Sequence, residues 1–397
     1  MNEAPETGTE TDTETGTEIP PELVTQMTGW RRDFHRHPEP GFAEERTSAH
    51  IASLLESFGI EVHRNIGKTG IVGILQRGNG PGSIAFRADM DALPVTETGT
   101  PEWVSVHDGA MHACGHDGHT AMLLGAACHL AAKGDFNGRI VFIFQPNEEH
   151  GQGARAMIDD GLFQRFPADA VFAMHNIPGM KAGSFATRAG PMTASESLFE
   201  LSVTARGGHA ALPHMGVDAI LVGAQLVTAL QSIVSRKLDP ARNGVVSITE
   251  FITDGSRNVL PSSALLKGDA RALSDDTNHA IEAHMRRIAA GIAAAHDVDI
   301  KVTYDMIFPS LTNDASAVSH AIAAARTISD TVDPACDAKL FSEDFAHMAR
   351  TIPGCLMLIG NGTDASHARP LHASDYDFND DILRPGAAYT ATLAQQF

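Results

Sequence analysis

Metal-ligand side chains are densest between residues 111 and 119, in the string M-H-A-C-G-H-D-G-H. One glycine separates Cys114 from His116, so a loop can point both side chains at one ion. Thiolate and imidazole are both good zinc ligands, and other borderline metals accept this mixture. A lone histidine is more often structural, but three histidines and a cysteine within eight residues indicate a metal site.

Two adjacent glutamates form the second feature, in the string Q-P-N-E-E-H that directly follows the apolar run R-I-V-F-I-F. The carboxyl end of a buried strand is where open α/β sheets place their ligand sites. Neighbouring residues of an extended chain point in opposite directions, so Glu148 and Glu149 can have different roles. One can bind metal while the other takes a proton from the metal-bound water. The alternative is a solvated glutamate turn.

Two further histidines stand at comparable positions. His175 ends the run A-V-F-A-M, and His372 lies in P-L-H-A-S-D-Y after a glycine-rich loop. Alone, each would more often be structural. Together with Cys114, His116 and Glu149 they make five candidate ligands. This number suffices for two ions if one group bridges them and a water fills the gap.

The elements that must position these residues alternate between two periodicities. Short apolar runs bounded by Gly, Pro or Asp predict strands buried on both faces over residues 70–75, 82–86, 139–144, 170–174 and 355–359. Helical spacing lies between or beside them over residues 48–58, 118–133 and 154–160. This alternation predicts an α/β fold with a mostly parallel, helix-covered sheet.

A second domain is predicted over residues 192–304, where the order is strand, helix, strand, strand, helix, strand. That order is typical of a ferredoxin-like α+β unit, here inserted into a main domain over residues 21–191 and 305–397. Residues 1–20 repeat Thr, Glu and Gly with almost no apolar side chain. This composition predicts a disordered acidic tail.

The charge balance excludes several partners. Asp and Glu outnumber Lys and Arg 49 to 29, and the net charge of −20 would repel nucleic acid and anionic membrane surfaces. No apolar run is long enough to span a bilayer, and the acidic N-terminus does not resemble a secretory signal. Four cysteines in 397 residues indicate a reducing compartment. We therefore expect a cytoplasmic protein.

A series of motifs runs in one order from residue 34 to residue 376: F-H-R-H-P-E-P-G, R-A-D-M-D-A-L-P, H-A-C-G-H-D-G-H, F-Q-P-N-E-E, M-H-N, G-G-H-A-A-L-P-H, N-V-L-P, F-S-E-D-F and L-H-A-S-D-Y. This series resembles the hippurate hydrolase and auxin-conjugate hydrolase branch of the zinc aminoacylase and carboxypeptidase superfamily. The resemblance covers nearly the whole chain except the acidic tail. Asn147 stands where the family more often has a small residue, a departure that affects local pocket shape.

The resemblance implies a dinuclear site. Two divalent ions, as zinc, manganese, cobalt or nickel, would be bound by the five candidate ligands Cys114, His116, Glu149, His175 and His372. Cys114 would stand where other branches use a bridging aspartate. A hydroxide bridging the metals would attack the amide of a small N-acyl amino acid, hippurate-like or with an acetyl or aryl-acyl group. Glu148 would be the general base and acid.

The resemblance also gives the inserted domain a role. It would close over the substrate as a lid, present His209 to the carbonyl oxygen and use Asn258 to help hold the substrate. A homo-oligomer through the lid is also expected, and His209 would then act within its own subunit or across a dimer.

Several acidic residues near these motifs have supporting roles in the prediction. Three of them are expected to orient the ligand histidines: Asp89, Asp91 and Asp117. Glu343 and Asp344 follow Ser342, a candidate helix N-cap, so helix-dipole stabilisation explains them as well as a metal role does.

Three other functions fit parts of the pattern. Cys114 could be a nucleophile with a histidine base, and such an enzyme would keep its activity in excess chelator. A metal-binding or peptide-binding protein without catalysis is a second reading, against which the presence of Glu148 favours an enzyme. The third is a dipeptidase or carboxypeptidase acting on a free C-terminal residue. The sequence leaves open the acyl group, the amino acid and the native metal.

Overall fold

The structure is a computed structural model that describes residues 18–397. Its strands are β1 (Glu61–Ile66), β2 (Gly70–Arg77), β3 (Ser83–Asp89), β4 (Gly138–Gln145), β5 (Ala170–Pro178), β6 (Phe185–Ala186), β7 (Gly190–Thr193), β8 (Ser195–Thr204), β9 (Gly208–His209), β10 (Gly244–Thr253), β11 (Val259–Leu260), β12 (Ser263–Ala272), β13 (Asp299–Phe308), β14 (Leu311–Asn313), β15 (Val332–Asp333) and β16 (Gly354–Gly362).

The α-helices are α1 (Pro21–Arg36), α2 (Glu45–Ser57), α3 (His116–Lys133), α4 (Gly153–Asp159), α5 (Leu162–Arg165), α6 (Ala219–Leu230), α7 (Asp275–His296), α8 (Ala315–Ile328), α9 (Ala346–Ala349) and α10 (Leu383–Gln396). Short 3₁₀ turns cover Pro213–Met215 and Asp380–Ile382, and a π-helical turn covers Ile233–Lys237. The first helix of the predicted inserted domain is therefore α6, which a separate π-helical turn follows.

The main sheet has eight strands in the order β1-β2-β4-β3-β5-β16-β6-β15. Its central pairs β4–β3, β3–β5 and β5–β16 are parallel, whereas β1–β2, β2–β4 and β16–β6 are antiparallel. Strands β3 and β16 are buried along their whole length, which explains the apolar runs over residues 84–86 and 355–359. The predicted α/β class is confirmed. Strand β1 has no apolar run. It lies at the edge of the sheet, and Ile66 is its one buried residue.

Helix α3 is the element that carries the cysteine and histidine cluster into the core. It packs against α1, α2, α10 and β3. Most of its residues are buried, so it is apolar on nearly all sides rather than on one stripe. Gly125 lets α1 approach closely, because a Cβ there would lie 2.0 Å from the sulfur of Met27.

The N-terminal tail prediction needs a correction at its end. Residues 1–17 lie outside the described residues. Ile19, however, is only 1% exposed and belongs to the main core, and Glu18 pairs with Arg384. The chain is therefore packed against the main core at Ile19, before the predicted boundary at residue 21.

The second sheet is antiparallel, with the strand order β10-β12-β8-β13. Helices α6 and α7 pack on it, and along the chain the order is β8, α6, β10, β12, α7, β13. In strand β12 buried residues alternate with more exposed ones, as in a sheet with one covered face. This is the ferredoxin-like arrangement that the strand and helix order predicts. The exact boundaries of the inserted domain, at 192 and 304, stay a prediction.

The two chain crossings between the sheets lie side by side. Strand β7, before the second sheet, pairs antiparallel with β14, which follows it. The same crossing also contacts the first residue of the F-S-E-D-F motif, since the backbone N–H of Ala194 donates to the carbonyl oxygen of Phe341 at 3.1 Å. The two chain connections of the inserted domain therefore lie side by side, next to a segment of the candidate site.

Candidate metal centre

The loop before α3 holds the first two predicted ligands. Gly115 has φ 90°, and a Cβ on it would lie 2.4 Å from the side-chain oxygen of Asn176, so this position requires glycine. The left-handed turn lets Cys114 and His116 face the same space. The Sγ atom of Cys114 lies 3.5 Å from Nε2 of His175, which brings a third predicted ligand to the same point.

The two histidines are oriented by backbone carbonyl groups. Nδ1 of His116 donates to the carbonyl oxygen of Asp91 at 2.9 Å, and Nδ1 of His175 donates to that of Asn176 at 2.8 Å. Each ring therefore has its Nε2 lone pair available, and Nε2 of His116 is buried with no hydrogen-bond partner in residues 18–397. This is the arrangement that metal-ligating histidines adopt.

The two glutamates lie in a turn rather than on an extended chain. Asn147, at φ 49°, turns the chain directly after β4, and its side chain packs on Gly41. The premise that Glu148 and Glu149 point in opposite directions is therefore wrong, because both bring a carboxylate oxygen close to Nε2 of His116, at 4.0 and 3.8 Å respectively.

Other contacts still distinguish the two glutamates. Glu149 also reaches His372, with 3.5 Å between its Oε2 and the ring Nε2, and its Oε1 is buried without a hydrogen bond to any described residue. Glu148 instead lies beside Glu343 and Asp344, and its Oε1 faces the backbone N–H of Asp344 at 3.4 Å. Burial and the charges of Glu343 and the adjacent Glu149 raise the pKa of Glu148 well above its ordinary range. Such a carboxyl group is suited to holding a proton.

His372 lies at the rim of the site. It adopts φ 66°, and its backbone N–H donates to the carbonyl oxygen of Ala113 at 2.8 Å, which ties it to the cysteine loop. Its side chain is 54% exposed, whereas that of Glu149 is 7% exposed. The structure thus brings all five predicted ligands together, in overlapping groups whose donor atoms lie within 4.8 Å: Cys114, His116 and His175; Cys114, Glu149 and His372; His116, Glu148 and Glu149.

A buried arginine that the sequence analysis missed organises the floor of the site. Arg87 donates to Gln145 at 2.8 Å, to Asp89 at 2.7 Å and to Asp344 at 3.0 Å, and it pairs with Glu343 at 2.9 Å. Its side chain is 1% exposed. The sequence does contain a sign of this role, because an arginine that follows an apolar run in a buried strand must find buried acidic partners.

The helix-capping interpretation of the F-S-E-D-F motif is wrong. The nearest helix begins only at Ala346, and the structure assigns it no side-chain cap, so Ser342 is not an N-cap. Asp344 instead accepts a hydrogen bond from the backbone N–H of Ala154, in the first turn of another helix, at 2.9 Å. Long-range pairing with Arg87 explains these acidic residues, and local helix geometry does not.

The acidic residues expected to orient the ligand histidines behave differently from one another. The backbone carbonyl oxygen of Asp91 accepts a hydrogen bond from the ring of His116 at 2.9 Å. Its carboxylate accepts a second one from the backbone N–H of Glu149 at 3.0 Å. Asp117 does not bind a ligand histidine, because its carboxylate accepts a hydrogen bond from His35 Nδ1 at 2.9 Å. Asp89 binds another histidine of the cluster, His119, at 2.6 Å.

The two residues assigned to substrate lie together but on the inserted domain. His209 is in β9, which pairs with β11, and the backbone N–H of Ala210 donates to the carbonyl oxygen of Asn258 at 3.0 Å. Both His209 and Asn258 are exposed. No contact between them and the five candidate ligands is present in residues 18–397, so their roles stay predictions.

The pair formed by His35 and Asp117 makes stability pH-dependent. Burial disfavours the charged ring, but hydrogen bonds to Asp117 and Glu97 raise the pKa of His35 from 6.5 to about 9. A raised folded-state pKa stabilises the fold below the unfolded value and loses that contribution as pH rises through the folded value.

We expect about 3 kcal/mol of unfolding free energy to be lost between about pH 6.5 and pH 9.5 because of His35. Urea unfolding of wild type and His35→Gln across this range measures it, since other titrating groups cancel in the difference. Stability curves that stay parallel in the two proteins would contradict the prediction.

No helix of residues 18–397 has the length and apolarity needed to cross a membrane.

The chain is similar to known proteins over most of its length. The profile of Peptidase family M20/M25/M40 matches residues 85–396. A hippurate hydrolase from Campylobacter jejuni is 40% identical over 378 residues, covering 95% of this chain and 97% of the relative. Thermostable carboxypeptidase 2 from Saccharolobus solfataricus is 36% identical, covering 94% and 97%. A dinuclear metal-binding peptidase of the M20 family from Bacillus subtilis superposes with a TM-score of 0.82 at 32% identity, covering 95% and 99%. The family resemblance inferred from the motifs is confirmed.

Proposed function

Because the chain belongs to peptidase family M20/M25/M40, we propose that it is a metal-dependent amidohydrolase that cleaves the amide bond of small N-acyl amino acids. The observation that carries the proposal is the convergence of Cys114, His116, Glu149, His175 and His372 beside the buried carboxyl group of Glu148. The similarity to a hippurate hydrolase supports the substrate class, since hippurate is itself an N-acyl amino acid.

The charges of the site fit divalent metal ions. Arg87 pairs with three buried carboxyl groups: Asp89, Glu343 and Asp344. Three more poorly exposed carboxyl groups lie nearby and have no arginine or lysine partner within residues 18–397: Asp91, Glu148 and Glu149. One positive charge cannot balance this number of buried carboxylates, so the site favours further cations. The unpartnered Nε2 of His116 and Oε1 of Glu149 point to where they would be held.

The donor types define what the site would hold. Thiolate, imidazole and carboxylate together suit zinc, manganese, cobalt or nickel, and five donors suit two ions. When bound, such ions supply Lewis acidity, which lowers the pKa of water and stabilises negative charge on the carbonyl oxygen. Cys114 would take the bridging position that the family resemblance implies.

Glu148 would move the proton. Its carboxylate accepts a proton from the attacking water at an Oε atom, and the same oxygen then delivers that proton to the leaving nitrogen. Burial beside Glu343 and Asp344 favours the protonated form between these two steps. The amide nitrogen must leave as an amine, so a group that can hand back the proton is required.

The inserted domain would complete the reaction. We propose that closure brings the ring of His209 to the carbonyl oxygen and lets Asn258 hold the substrate. The β7 and β14 ladder, through which both chain crossings pass, is where such a closure would bend. Closure also excludes water from the site, which strengthens every charge interaction there.

A carboxypeptidase is the second candidate, because a carboxypeptidase from Saccharolobus solfataricus is similar over nearly the full chain. Both substrate classes place a free carboxylate next to the amide that is cleaved. The two differ in what lies on the acyl side, which is a simple acyl group in one case and a peptide in the other.

A substrate panel with defined metals tests the proposal. We expect hippurate or another N-acyl amino acid to be hydrolysed faster than any dipeptide or longer peptide, by protein loaded with zinc, manganese, cobalt or nickel. We expect about two ions per fully active chain. Excess EDTA should abolish the activity, and added metal should restore it.

The controls distinguish the alternatives. Activity that survives EDTA would indicate a cysteine nucleophile at Cys114. Full activity with at most one ion per chain would contradict the dinuclear site. Faster release of C-terminal residues from peptides would favour the carboxypeptidase.

A further inference from the structure

The proposed metal ligands come from four distant parts of the chain, at residues 114–116, 149, 175 and 372. Metal binding requires their donor atoms to keep fixed relative positions. A buried chain of hydrogen bonds, which the proposed reaction does not use, runs behind three of these segments. Its members are Asp89, His119, Asn176 and Tyr376.

His119 lies at the centre of this chain. Its Nδ1 faces a carboxylate oxygen of Asp89 at 2.6 Å, and because an ionised carboxylate only accepts hydrogen bonds, Nδ1 carries a proton. Its Nε2 lies 2.8 Å from the side-chain oxygen of Asn176 and 3.0 Å from the backbone nitrogen of that residue. Both ring nitrogens thus have partners, unlike Nε2 of His116, so His119 is not itself placed to bind metal.

The ring of His119 also packs on two proposed ligands. Its centroid lies 4.6 Å from that of His175, in an edge-on arrangement, and 5.6 Å from that of His116. A shift of this ring would therefore move two proposed ligand rings at once. Its hydrogen bonds to Asp89 and Asn176 hold it in place on both sides.

Tyr376 extends the chain to the remaining segments. Its hydroxyl accepts a hydrogen bond from Nδ2 of Asn176 at 2.6 Å. The same hydroxyl and the side-chain oxygen of Asn176 both pack on Gly115. A Cβ at this glycine would lie 2.7 Å from the hydroxyl and 2.4 Å from the Asn176 oxygen. Asn176 adjoins His175 in sequence, and Tyr376 lies four residues after His372.

We propose that His119, Asn176 and Tyr376 are positioning residues that set the spacing of the proposed ligands around the metals. This inference rests on the metal site of the proposed function. The shared polar chain fixes the Gly115 turn and the two histidine rings through one set of bonds. Breaking one bond leaves a buried polar group unpaired and loosens several ligand segments together.

Tyr376→Phe in the full-length protein is the main test, because it removes a single oxygen. Cobalt is titrated into the metal-depleted protein by calorimetry and by visible absorption, which reports ligand geometry and the cobalt–thiolate bond. We expect the dissociation constant of the more weakly bound cobalt ion to rise about 10- to 100-fold, the usual effect of removing a residue that orients a ligand. The cobalt spectrum should change, and His119→Gln should act in the same direction.

Tyr389→Phe is the matched control. Tyr389 is equally buried, but its hydroxyl has no hydrogen-bond partner in residues 18–397. This variant should bind cobalt as wild type does, whatever its effect on stability. A purely structural role for Tyr376 would lower the melting temperature of the metal-depleted protein without changing the cobalt affinity or spectrum.

Two results overturn the inference, and they differ from each other. If wild type binds two cobalt ions and Tyr376→Phe binds them with the same affinity and spectrum, the positioning role is wrong while the proposed function stands. If wild type binds no cobalt, the metal assignment fails and this inference fails with it. Should His119→Gln not fold, Tyr376→Phe alone decides.

Discussion

Replacing Glu148 by glutamine is expected to lower kcat by about 10²- to 10⁴-fold while metal content stays at the wild-type level. The amide keeps the shape of the carboxyl group but cannot take or return a proton. Glu148 contacts the acidic pair Glu343 and Asp344 on one side, and His116 is the nearest proposed ligand at 4.0 Å. Steady-state kinetics and metal analysis of the same preparation measure both quantities.

Glu149→Gln is the control for this variant, because it changes the same group one residue away. Its carboxylate lies 3.5 Å from His372 and 3.8 Å from His116, so we expect metal content to fall together with activity. Equal loss of metal in both variants would show that the two roles are assigned wrongly. The comparison is needed because the turn at Asn147 brings both carboxylates towards one histidine.

Replacing His209 by alanine is expected to lower kcat by about 100- to 1,000-fold, with a much smaller rise in KM, if the lid presents it to the carbonyl oxygen. One hydrogen bond in the structure supports this role of His209 as a donor. Nδ1 of His209 accepts a hydrogen bond from the backbone N–H of Ala211 at 3.0 Å, so in the neutral ring the proton is on Nε2. An exposed Nε2–H on a fixed loop is the donor that a developing oxyanion needs.

His279→Ala provides the comparison, since His279 is an exposed histidine on helix α7 of the same domain. It should leave kcat, KM and metal content unchanged. Metal content should also stay constant in His209→Ala, because no proposed ligand is altered. A kcat for His209→Ala within about threefold of wild type, far below a typical oxyanion-donor effect, would remove His209 from the mechanism.

The sequence predicts the parts of this structure that depend on residue type over short distances. Strands buried on both faces must be continuously apolar, so β3, β4, β5 and β16 could be recognised, whereas the edge strand β1 could not. The ligand set could be named from donor chemistry, and its convergence follows from the shared carboxyl edge of the sheet.

Features that depend on distant pairings could not be predicted. The pairing of Arg87 with Glu343 joins residues far apart in the chain, and no local pattern encodes it. The left-handed Asn147 is a backbone choice stabilised by tertiary contacts, and it changed where both glutamates point. Asp117 was expected near a ligand histidine because of its place in the sequence, but its carboxylate accepts a hydrogen bond from His35 instead.

The adjacency of β7 and β14 has a consequence for how this protein can be recombined. Leu311 pairs with Thr193, so the stretch between them leaves and re-enters the main sheet domain at neighbouring points. Segments with adjacent ends are tolerated as insertions, because their removal or exchange leaves the host chain able to close. We therefore expect the ferredoxin-like unit to be exchangeable between relatives as one segment. Grafting it from a relative with a different substrate should transfer selectivity while the ligand-bearing scaffold stays the same.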